Sequence, residues 1–227
     1  MNTELLTEDF RQAASDYRYL IERGYSRKSA LKLAGDRYGL TSCHRTLLYR
    51  GILPRIESER RRARLTASTG ADRLTIDGYN VVVTVANYLY GRPVFLGTDG
   101  FLRDAGEAYG RLTRGPMFDK AVLLLLSFLE PAGDREVLIL FDRPVPKSGE
   151  LAVHFREEMR LRAIEGTAET ARSPDYELKR VRTGSVCTSD SVVIDGCPVP
   201  VCDLAREVLD AAFSPDYIDL GSLFLSP

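Results

Sequence analysis

From residue 71 onward, short apolar runs suited to strands alternate with longer segments suited to helices. The strand-like runs stand at 73–76, 136–141, 177–182, 185–188 and 198–202. The helical segments stand at 83–90, 101–112, 117–129, 149–165 and 191–195, with a last one at 203–213. This alternation predicts an α/β domain, with a mostly parallel sheet covered on both faces by helices. Few other architectures bury such a series of runs.

Three of these runs end alike. Ile76-Asp77-Gly78, Phe141-Asp142-Arg143 and Thr188-Ser189-Asp190 each put an aspartate at or just past the carboxyl end of a strand. In an open α/β sheet that end borders the ligand crevice. A single strand-end aspartate often bonds only local backbone. Three on one rim are harder to maintain: at about 5 Å and an effective dielectric near 20, each carboxylate pair repels by roughly 3 kcal/mol. A bound Mg²⁺ or Mn²⁺ ion removes that penalty, and carboxylate with water is the ligand set these ions prefer.

A fourth acid is expected from Gly97-Thr98-Asp99-Gly100-Phe101-Leu102-Arg103-Asp104. The 101–112 segment reads as a helix, which puts Asp104 in its first turns; Asp99 is the substitute, or a plain turn residue. Asp195, before Gly196, competes with Asp190 for the rim position. Arg92, Arg103, Arg111, Arg143 and Lys147 are candidates to hold a substrate backbone, although surface Arg and Lys more often serve only solubility. Arg143 and Lys147 stand out, because Asp142-Arg143-Pro144-Val145-Pro146-Lys147 is a stiff loop beside the expected rim.

The series Ile76-Asp77-Gly78-Tyr79-Asn80-Val81, Leu140-Phe141-Asp142 and Thr188-Ser189-Asp190 resembles the motifs of PIN-like nucleases, particularly their NYN branch. The resemblance covers residues 72 to 205. It implies a doubly wound PIN-like sheet and a ribonuclease that uses Mg²⁺ or Mn²⁺. It further implies Asp77, Asp142 and Asp190 as catalytic metal ligands, with Asn80 supporting the site and its substrate. Asp104 matches an expected catalytic acid by location only. The whole chain also resembles a prokaryotic family of unknown function that joins such a domain to a small helical one.

The amino-terminal part reads as three helices. Phe10, Ala13, Ala14, Tyr17, Leu20 and Ile21 share one face of the first, which Gly24 ends. A second spans 27–38, and Thr41 or Ser42 caps a third that carries Leu47 and Leu48 inward. The short turn between the last two is a helix-turn-helix interval. It lets Ser42, His44, Arg45 and Tyr49 face outward, with Arg50, Arg55 and the 60–64 arginine run extending a positive surface. Three short helices also make interaction bundles, and arginine runs are often only solvated helix faces. Residues 1–70 hold 14 Lys and Arg against 8 Asp and Glu, while residues 71–227 hold 17 against 24. A basic module joined to an acidic one points to an anionic partner for the first. The expected boundaries are a helical domain over 1–65, a linker over 66–72 and the α/β domain over 73–227.

Other classes are excluded or disfavoured. No apolar run approaches the roughly 18 residues that cross a bilayer, and no secretory signal is visible, so a cytoplasmic protein with no membrane partner is expected. The four cysteines lack CxxC spacing, which disfavours a structural zinc site. Gly78 stands alone, without GxGxxG, and Lys147-Ser148-Gly149 is not a Walker motif. RNA, single-stranded or structured, is the expected partner, and the sequence leaves a homodimer open. The rivals to a ribonuclease are a non-catalytic RNA-binding adaptor of the same fold and a phosphoesterase acting on a small molecule.

Overall fold

A computed structural model of the chain describes residues 5–106, 115–130 and 135–224. In chain order its elements are α1 (Glu8–Glu22), α2 (Arg27–Arg37), α3 (Ser42–Gly51), α4 (Arg55–Arg62), β1 (Leu65–Thr66), β2 (Arg73–Asp77), α5 (Gly78–Leu89), β3 (Val94–Leu96), β4 (Leu102–Asp104) and α6 (Pro116–Leu129). There follow β5 (Glu136–Asp142), α7 (Ser148–Leu161), β6 (Gly166–Ala171), α8 (Pro174–Leu178), β7 (Ser185–Cys187), α9 (Ser191–Gly196), β8 (Val201–Cys202), α10 (Leu204–Phe213) and β9 (Ile218–Asp219). They fall into two units: residues 1–63, 90–112 and 216–227, and residues 64–89 and 113–215.

The second unit holds a six-stranded sheet of order β1-β8-β7-β2-β5-β6. Every neighbouring pair in it is parallel. The two longest central strands are nearly continuous apolar runs: Leu74, Ile76, Val137, Ile139 and Phe141 are all buried. That is the pattern of strands covered on both faces. From β2 the chain builds β5 and β6 on one side, then returns to build β7 and β8 on the other. The order therefore reverses about β2, and the carboxyl ends of β5, β2 and β7 border the switch point.

Two expectations for this unit change. The strand expected at 177–182 lies instead at Gly166–Ala171, and Pro174–Leu178 is a helix. β6 is an edge strand with little burial, so it lacks the apolar alternation that marks a strand. It can start only at a glycine, because a Cβ on Gly166 (φ +136°) would lie 1.8 Å from the Val137 carbonyl oxygen. Residues 66–72 are not a free linker. Leu65 and Thr66 pair with Val201 and Cys202 as an edge strand. Ser68 is fully buried, its amide donates to Glu207 (2.9 Å), and Arg135 donates to its carbonyl (2.7 Å).

The first unit keeps the three expected helices and adds α4. α1 buries Phe10, Ala13, Ala14, Tyr17 and Ile21. Thr41 caps α3 by accepting from the His44 amide. Within the helix expected at 101–112, residues 102–104 form β4 instead; residues 107–112, Arg111 among them, lie outside the described residues. A tight turn explains the change: Gly100 has φ +82°, and the Gly97 amide donates to the Phe101 carbonyl (3.0 Å). It folds β4 back antiparallel on β3, with Val94 opposite Asp104. β9 adds in parallel to β3, and Leu220 joins the core formed by α1, α2 and α3. β9 and Leu220 thus belong to the first unit.

The outward face expected for α3 is largely engaged. His44 is half-buried with its ring 5.3 Å from that of Phe10. Arg45 donates to Asp36 (2.9 Å) and to the Leu40 carbonyl (3.0 Å). The Tyr49 ring lies beneath the Arg27 guanidinium. The arginine run does not simply extend a positive surface either: Arg61 is buried against Asp99, and Arg64 donates to the carbonyls of Ile194 (2.6 Å) and Val199 (2.8 Å). Among the described residues, no helix is long and apolar enough to cross a membrane.

Candidate functional site

The site begins with how β2 ends. Asp77 closes the strand and Gly78 opens α5 with no intervening loop. Glycine is required there by close approach rather than by its dihedral angles, since a Cβ on Gly78 would stand 2.4 Å from the Phe141 ring. Asp77 is consequently buried, with 6% of its surface exposed. Its Oδ1 accepts from the Asn80 amide (3.3 Å), a capping bond for α5, and its Oδ2 accepts from the Thr188 hydroxyl (3.0 Å). Burial pushes the Asp77 pKa up to about 7; the bonds from Thr188 and Asn80 oppose the rise, and the charges of Asp175 and Asp190 add to it.

Asn80 braces the other side of the switch point. Its Oδ1 accepts from both the amide (2.8 Å) and the hydroxyl (3.2 Å) of Ser189, tying α5 to the end of β7. Asp190 follows, its amide donating to the Thr188 hydroxyl (3.0 Å). The Asp190 Oδ1 caps α9, accepting from Val192 (2.8 Å) and Val193 (3.1 Å). This fixes the register of the last motif: Asp190 stands at the strand end, and Asp195 lies within α9.

Asp142 ends β5 and has no capping role, since α7 starts only at Ser148, after Lys147. It is partly buried, and its pKa is raised by burial first and by the charge of Asp175 second. The loop that follows is exposed from Arg143 to Lys147. Lys147 takes a left-handed backbone (φ +64°), uncommon for a residue with a Cβ. The Arg143 amide donates to the Ala171 carbonyl (2.8 Å) and its guanidinium to Thr170 (3.4 Å), so this loop runs beside the end of β6.

The rim thus gathers Asp77, Asp142 and Asp190, and it adds Asp175, which sequence reasoning missed. Asp175 sits in the first turn of α8, which packs on β2, β5 and β6. A signal was present: Ser173-Pro174 is a helix start with proline at the first helical position. The hydroxyls of Thr188 and Ser189 were also unclaimed by the motif reading. Among the described residues, no three His, Cys, Asp or Glu side chains are grouped closely enough to hold a metal ion by themselves.

Two further expected members, Asp104 and Arg103, lie in the first unit. Asp104 is in the first unit on β4, where its carboxylate accepts from the Gly106 amide (2.8 Å) and stands 3.8 Å from Arg50. Arg103, expected to hold substrate, is 2% exposed and gives both terminal nitrogens to Asp99 at 2.7 Å. Burial raises the Asp99 pKa, but Arg103 and then Arg61 outweigh it and hold the carboxyl below its ordinary value. Asp99 is therefore neither a rim acid nor a plain turn residue. It is the buried counter-ion of two arginines.

Comparison with known proteins places the two halves of the chain separately. The family model described as Domain of unknown function (DUF5616) matches residues 66–207. The model described as Protein of unknown function (DUF434) matches residues 9–64. Uncharacterized protein MJ0935 of Methanocaldococcus jannaschii is 33% identical over 202 residues, spanning 88% of this chain and 96% of that protein. No solved structure matches the chain.

Proposed function

The chain belongs to the DUF5616 family, and we propose that it is a divalent-cation-dependent, PIN-like ribonuclease acting at the carboxyl rim of its six-stranded sheet. One observation carries the reading: Asp77 and Asp142 end the neighbouring parallel strands β2 and β5, Asp190 follows β7 on the other side of β2, and Asp77 is buried there with 6% of its surface exposed. Burial first, then the nearby carboxylates, push the Asp77 pKa up to about 7, so ionising this acid is costly unless a cation compensates it. A structural role alone would be served as well by asparagine, which caps helices without that penalty.

The donor set fits magnesium or manganese in one particular form. An all-protein cage of three ligands is not formed among the described residues. Mg²⁺ commonly needs no such cage, because it keeps several waters and takes one or two carboxylates plus a substrate phosphate. Asp77 and Asp190 would hold it, with Asp142 and Asp175 at the same rim. When bound, the ion would supply an activated water and offset charge on the phosphate.

The chain's own residues then have distinct tasks. Thr188 and the Asn80 amide fix both oxygens of Asp77, and the Asn80 side chain locks the Ser189 end of β7. Asp142 is partly exposed and its pKa is raised by burial and by the charge of Asp175, which makes it a stronger base than an ordinary carboxylate and suits it to accept a proton from water. Arg143 and Lys147 lie on the exposed loop beside it and suit phosphates of the strand. That no three acids are grouped for a metal ion among the described residues favours, as a second reading, an RNA-binding adaptor that keeps the rim without cutting.

The test is RNA cleavage by the purified full chain with Mn²⁺ or Mg²⁺, and again with chelator. Cleavage should require the ion and vanish in Asp77→Asn and in Asp142→Asn, with folding retained. Cleavage that survives both substitutions sinks the proposal; binding without cleavage favours the adaptor.

A further inference from the structure

We propose that Tyr176 is a base-stacking platform beside the acid rim, so that the strand taken there is single-stranded RNA rather than duplex. This inference rests on the ribonuclease reading and names its substrate class.

α8 is five residues long and buries Pro174 and Leu178, which leaves Tyr176 on the outer side, 55% exposed. An exposed tyrosine alone means little. Here three features coincide. Tyr176 directly follows Asp175 on α8, which packs on β2 and β5, the strands that end in Asp77 and Asp142. The Arg180 guanidinium lies 5.1 Å from the centre of the tyrosine ring and donates to its hydroxyl, so the ring is held in place before any ligand arrives. The third feature is charge. Arg143, bonded to Thr170 and Ala171, brings the loop after β5 alongside the loop after β6, where Arg172 is exposed.

Aromatic rings next to cations are how single strands are bound without sequence preference: bases stack on the ring while the cations follow the phosphates. A duplex cannot use such a platform, because its bases are already stacked and paired inside an A-form helix. Exposed Val145, on the Arg143 loop, adds apolar surface for a splayed base.

The experiment measures fluorescence anisotropy of the full chain, in chelator to prevent cleavage. The probes are a labelled short RNA strand, its duplex with the complement, and an abasic ribose-phosphate strand of equal length. Wild type should prefer the single strand to the duplex. Tyr176→Ala should weaken the single strand by roughly 5- to 150-fold, the range of one lost base stack, and leave the abasic strand unchanged. Tyr176→Phe should restore binding to the single strand. Arg143→Ala should weaken both single strands and lower the salt dependence. Wild-type affinity in Tyr176→Ala, or an equal loss on the abasic strand, overturns the platform. If wild type still binds and cuts RNA in that case, only the platform fails. If wild type binds no RNA in any form, both proposals fail.

Discussion

Replacing Asp77 with asparagine should make the metal-free protein more stable at alkaline pH while removing its function. The ordinary carboxyl pKa of 3.8 is moved to about 7 in the folded chain, burial being the first cause. Below 3.8 the group is protonated both folded and unfolded and contributes nothing pH-dependent. Between 3.8 and about 7 the unfolded chain releases the proton and the folded one keeps it, so stability falls as pH rises. Above about 7 the whole penalty is present, about 4 kcal/mol at 1.36 kcal/mol for each tenfold change. Asparagine removes that penalty and keeps the bond from the Asn80 amide, but the Thr188 hydroxyl must turn to accept instead of donate. Subtracting about 1 kcal/mol for that rearrangement leaves a gain of about 3 kcal/mol. Urea unfolding in chelator from pH 4 to 9 measures it: the variant should gain steadily on wild type up to pH 7 and then hold its lead. A variant less stable than wild type at pH 8, or a difference indifferent to pH, refutes the argument.

Asp99→Asn should cost about 3–5 kcal/mol in urea unfolding, since Arg103 and Arg61 are left as buried charges. Because the Asp99 pKa is held low, its contribution is present above the ordinary carboxyl pKa and is lost as pH falls through the folded value, so wild type and variant should converge in acid. Gly78→Ala should cost about 1–3 kcal/mol by forcing a Cβ against the Phe141 ring; an unchanged urea midpoint would remove close approach as the reason for glycine. Asn80→Ala removes two bonds to Ser189 and should cost about 1–3 kcal/mol. Amide exchange at the end of β7 should rise with it, and protection equal to wild type contradicts the bracing role.

What the sequence made legible was local. β2 and β5 are apolar runs that stop on aspartate, and both run and stop can be read without knowing the neighbours. Asp77 and Asp142 were legible as candidates for that reason, and Asp190 from the shorter run that ends just before it. Asp175 was not, because its position depends on β6, an edge strand built of Gly, Thr, Ala and Glu with no apolar alternation. The interior placement of Arg103 was not legible, because nothing local marks it; its burial depends on Asp99. Charge counting failed similarly at Arg61 and Arg64, which add to a basic total yet are held by interior partners. β9 likewise has no local mark, since it is two residues long and is defined by its pairing with β3.

The central claim is that the rim of Asp77, Asp142, Asp175 and Asp190 collects a divalent cation. Electron paramagnetic resonance of free Mn²⁺, titrated into the full chain at pH 8, measures this directly. Wild type should remove free Mn²⁺ signal in proportion to protein, and Asp77→Asn should not. Equal uptake by the two proteins, or none by wild type at millimolar Mn²⁺, would contradict it.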